Sequence, residues 1–132
     1  MSDWTAPLIA LLQLQRRLER GPKREGAFAL WLTARVALDI GLGPPEPDKG
    51  RRRRIALLRR RLTPLAIARP LSRGLTAALA HLDDATPAGA RIALSQLVAP
   101  AKDALGAEAA EALADAARMI HDHRVHGAGP KA

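Results

Sequence analysis

The sequence predicts an all-α protein, a compact bundle of five to seven helices. Ala, Leu and Arg dominate its 132 residues, Tyr and Asn are missing, and the only aromatics are Trp4, Phe28 and Trp31. That composition supplies helix formers and withholds the residues strands prefer. Apolar residues also recur at spacings of three and four, and glycines and Thr-Pro pairs interrupt them at intervals that suit helix ends. At this length the chain reads as one helical domain, residues 1–126, with a disordered tail over 127–132, and it can bury a core without staples. The absence of cysteine excludes disulfides, thiolate metal sites and cysteine nucleophiles.

The first helix starts after Thr5 as cap, shows Leu8, Leu11, Leu12 and Leu18 on one face, and pairs Trp4 with Ile9 as a hydrophobic staple. Gly21-Pro22 ends it and opens the second helix, which runs to Leu42 and is apolar nearly all round. Thr33, Arg35 and Asp39 are its polar exceptions, so it reads as the central buried element, with Arg35 and Asp39 paired four residues apart. Residues 41–50 contain three prolines and form a stiff, exposed connector. Its glycines lack the spacing of a phosphate-binding loop.

After the connector comes a helix over 51–62. Thr63-Pro64 then signals a break and restart, 65–68 a short turn, and Arg69-Pro70 a kink or second restart. The helix over 71–82 places Leu71, Leu75, Ala78, Leu79 and Leu82 in one stripe. Thr86-Pro87 opens the next, through Ile92, Leu94, Leu97 and Val98, interrupted near Pro100. Beyond Gly106 a last helix runs from Ala107 to about Val125 with Ala110, Leu113, Ala117 and Ile120 facing inward.

Charge singles out one of these helices. Residues 1–50 hold seven Lys/Arg against six Asp/Glu, and residues 83–132 five against seven. Residues 51–82 hold nine arginines and no acid, so one quarter of the chain carries essentially the whole formal charge of +8. Seven of those arginines fall within 51–62. Arginine outnumbers lysine 17 to 4 in the whole chain, so the clustering, not the residue type, carries the argument. Ile55, Leu58 and Leu62 make an apolar stripe. Arg53, Arg54, Arg60 and Arg61 point away from it, and Arg51, Arg52 and Arg59 flank it.

A helix of this kind docks on a core and holds guanidinium groups in water, where they bind phosphates and release counterions. The expected function is therefore nucleic-acid binding, DNA or RNA, through Arg51, Arg52, Arg53, Arg54, Arg59, Arg60 and Arg61, extended by Arg69 and Arg73. No aromatic lies within 51–82 to stack on bases, so backbone contact with little sequence readout is expected. The pair 71–82 and 87–99 has helix-turn-helix spacing, but Asp83 and Asp84 repel phosphate and only Arg91 is basic on the second helix.

The alternative is an adaptor or assembly subunit whose arginine helix docks an acidic protein partner or a second copy. A membrane surface fits less well, because the stripe lacks aromatic anchors. His121, Asp122, His123 and His126 hint at a metal, yet further ligands at partner spacing are missing, and cations at a helix C-terminus suit the dipole. No cofactor is expected. No nucleophile elbow, HExxH motif or buried carboxylate pair points to an enzyme. With no basic leader and no long apolar run, a cytoplasmic protein is expected.

Overall fold

The protein is described here from a computed structural model covering residues 4–45 and 48–127, with the backbone alone for 126 and 127. Six α-helices follow one another among the described residues: α1 (Ala6–Arg17), α2 (Pro22–Gly41), α3 (Lys49–Leu62), α4 (Arg69–Leu82), α5 (Pro87–Leu105) and α6 (Ala107–Asp122), then a π-helical stretch His123–Gly127. Glu46 and Pro47 of the connector, and all of the expected tail but Gly127, lie outside the described residues.

α2 and α5 form the middle of the bundle. α2 buries eleven residues from Gly26 to Gly41 and packs against α1, α3, α5 and α6. Thr33 tolerates this burial because its hydroxyl donates to the Ala29 carbonyl at 2.8 Å. α5 packs against α2, α4 and α6. With neighbours on three sides, α5 leaves exposed only a strip with Ala88, Ser95, Gln96, Ala99, Lys102 and Asp103, which carries a single lysine beside an aspartate.

The Thr86-Pro87 signal opens α5 as expected, the Thr86 hydroxyl accepting from the Gly89 amide at 3.1 Å. Gly106, at φ +102°, closes α5 and starts α6 in a conformation that suits only glycine well. All five expected positions of the α4 stripe are buried, as are the four of α6. Ala109, Ala112 and Ala116 are buried as well, so α6 lies closely between α5 and α1.

Several local expectations are corrected. Pro100 does not interrupt α5, which runs on to Leu105. Its ring lies over Gly74 of α4, where an added Cβ would come within 2.8 Å of it, so glycine makes room for the proline at the α4–α5 crossing. No helix restarts at Pro64; Thr63 donates its hydroxyl back to the Arg59 carbonyl at 2.8 Å, and the chain stays irregular up to α4. The connector is shorter than 41–50, since Gly41 closes α2 and Lys49 opens α3.

In α1 the buried positions are Pro7, Leu11 and Leu14, with Leu8 and Leu18 partly buried, so the face is rotated from the expected one. Thr5 makes no side-chain cap bond there. Ile9 is exposed rather than stapled, and the Trp4 ring stands edge-on to His123 with centroids 5.5 Å apart. Arg35 and Asp39 are both exposed and do not pair; Arg35 lies over the Trp31 ring at 5.6 Å, and Asp39 binds Arg54 of α3.

Candidate polyanion-binding face

α3 begins where Asp48 accepts a hydrogen bond from the Arg51 amide at 2.8 Å, an N-cap three residues ahead of its donor. From there the buried positions run Arg51, Ile55, Leu58 and Leu62, a stripe of spacing four, three and four. The helix lies on α2 and touches α4 near its other side, and the rest of its circumference faces solvent. Arg51 therefore belongs to the inward stripe, and the expectation that it flanks the stripe is corrected.

Arg51 is 2% exposed, and its guanidinium donates to the Ala85 carbonyl at 3.1 Å and to the Pro44 carbonyl. Ala85 is the one non-glycine described residue at positive φ, +55°, so Arg51 supports a strained turn between α4 and α5 while holding the connector. Gly43 leaves room for it, since a Cβ there would stand 2.8 Å from its Nη2. Arg124 reinforces the same corner by donating to the Gly43 carbonyl at 2.9 Å.

Two more arginines of the block are tied to neighbouring helices. Arg59 donates to the Leu79 carbonyl at 3.2 Å and to Asp83 at 2.6 Å, placing a cation on the carbonyl end of α4. Arg54 meets Asp39 at 3.0 Å. Arg52, Arg53, Arg60 and Arg61 are exposed and have no ion-pair partner among the described residues. Arg53 and Arg60, seven residues apart, project from one side about 10 Å apart along the axis. Arg69 and Arg73 are exposed one turn apart on α4, with no ion pair to α3.

No protein-family model, curated protein or solved structure matches this chain. What α3 offers must be read from its own chemistry. Four guanidinium groups on a helix give fork-shaped donors to phosphate oxygens without the side chains needed to stack on bases.

A second feature adjoins α3 and has no signature in the sequence. Between α1, α2 and the flank of α3 runs an open cavity of about 660 Å³, floored by Leu8, Leu32, Val36 and Leu58 and edged by Trp4 and Leu57. Arg35, Arg54 and Arg61 stand at it with Asp39. Its parts come from three separate segments, so no local pattern in the sequence marks it.

Among the described residues no group of three or more His, Asp or Glu side chains is placed to hold a metal ion. Asp122 faces His121 at 3.3 Å, and the His126 side chain lies outside the described residues. No helix among the described residues is long and apolar enough to cross a membrane.

Proposed function

We propose that the protein binds nucleic acid through the phosphate backbone, using Arg52, Arg53, Arg60 and Arg61 of α3, with little sequence readout. The observation that carries this reading is the division of labour within the arginine block. Arg51, Arg54 and Arg59 are engaged by the fold, which anchors the helix, and the other four are exposed with no ion-pair partner among the described residues. An exposed side chain with an intramolecular partner must exchange that partner for phosphate, whereas these four gain charge-assisted bonds outright.

The test is fluorescence anisotropy with a labelled duplex and a matched RNA hairpin, titrated from about 50 to 300 mM salt. Four contacts at about 0.9 counterions each on duplex DNA give an expected log–log slope of about −3.6. A slope of about −5.4, six contacts in place of four, would bring Arg69 and Arg73 into the interface. Absence of binding at the lowest salt would overturn the reading and turn attention to an acidic protein partner. Replacing Arg52, Arg53, Arg60 and Arg61 together with Gln is expected to abolish binding and leave the melting temperature within a few degrees.

A further inference from the structure

We propose that the cavity between α1, α2 and α3 is a binding site for a single-chain amphiphile with an anionic head, of the fatty-carboxylate class. The inference does not rest on the phosphate-binding reading: the apolar floor, Arg35 and Arg54 take no part in that surface, and Arg61 alone is common to both.

The volume, about 660 Å³, lies within the range of small-ligand sites, and the walls are apolar side chains with few polar groups among them. Leu57 is 49% exposed and Trp4 43% exposed, both at the edge, so apolar surface that the fold itself leaves wet lines the opening. An alkyl chain lying along Leu8, Val36 and Leu57 would remove that surface from water.

Charge selects the head group. Three guanidinium groups and one carboxylate stand at the cavity. Asp39 is neutralised by Arg54 at 3.0 Å, which leaves Arg35 and Arg61 as excess positive charge beside an apolar floor. Arg35 is pre-placed by its position over the Trp31 ring at 5.6 Å. A carboxylate fits that excess, and a neutral or cationic head does not.

The experiment is isothermal titration of the full chain with dodecanoate below its micellar concentration, beside dodecyltrimethylammonium and dodecanol. Saturable binding of dodecanoate at one site per chain is expected, at least tenfold tighter than either comparator, with a shift of the Trp4 indole resonance. Leu57→Glu, an exposed change that puts a like charge at the opening, is expected to weaken dodecanoate at least tenfold. Arg35→Gln is expected to reduce the preference for the carboxylate over dodecanol. Lys102→Gln, an equal loss of charge on α5, is expected to leave both values unchanged.

Equal binding of the three amphiphiles, or indifference to Leu57→Glu, would overturn the proposal. So would a dimer that Leu57→Glu dissociates, which would give the cavity to a second copy. Saturation by an acidic amphipathic peptide without response to dodecanoate would give it to a protein partner and overturn the proposal equally.

Discussion

Arg51 shows how far a single residue can stand from its expected role. By position it continues the stripe of Ile55, Leu58 and Leu62 one turn toward the N-terminus, and the helical period alone places it inward. The general rule that arginine stays in water argued the other way. The structure resolves that conflict with acceptors from outside the helix, the carbonyls of Ala85 and Pro44, which are 34 and 7 residues away in the chain and invisible to local pattern. Arg51→Met keeps the bulk and deletes the donors, leaving two carbonyls in the corner without them. Destabilisation of about 2–4 kcal/mol is expected, read as a lower urea midpoint at unchanged slope. Arg51→Lys is expected to recover only part, because one ammonium cannot reproduce a planar fork aimed at two segments.

The helices themselves were largely legible, since apolar period, Thr86-Pro87 and Gly106 are local signals that packing did not override. Pro100 was misleading because the compensating feature, Gly74, lies on another helix. Gly74→Ala pushes a methyl against the Pro100 ring at the α4–α5 crossing, and a loss of about 1–3 kcal/mol is expected by chemical denaturation despite the better helix propensity of Ala. The start of α3 carries a different tension. Lys49, Arg51 and Arg52 lie near its N-terminus with no acid in the first turn, against the sign the helix dipole favours. Asp48 as N-cap offsets part of that cost. Arg52→Glu therefore separates stability from binding. Thermal unfolding at low salt is expected to show unchanged or slightly raised stability, by up to about 1 kcal/mol, while affinity for a duplex falls by more than the Gln variant's loss. A lower melting temperature would mean that Arg52 supports the fold.

Across the whole molecule, charge and packing are unevenly shared in the same direction. α2 buries eleven residues and α6 seven, whereas α3 rests on four, one of them an arginine. Residues 51–82 carry nine positive charges and no negative one, and three of the seven arginines in α3 find partners only by reaching to other elements. Sequence made the charge visible, but it could not show which arginines those partners would claim, because Asp39 comes from α2 and Asp83 and the Ala85 carbonyl from the turn after α4. A helix held at few points and loaded with like charge opens more easily than the core beneath it. Amide hydrogen exchange at low salt is expected to show α3 less protected than α2 and α5. Raising the salt to about 0.3 M shortens the Debye length from about 30 Å at 0.01 M to well under 10 Å, which weakens repulsion among the exposed arginines more than it weakens the buried Arg51 contacts. Protection of α3 is therefore expected to rise with salt while that of α2 stays nearly constant. Bound duplex at low salt is expected to have the same selective effect on α3, since phosphate supplies the negative charge that this helix lacks. Uniform protection of α2 and α3 under all three conditions would show that the four buried contacts of α3 already bind it into the cooperative unit of the bundle.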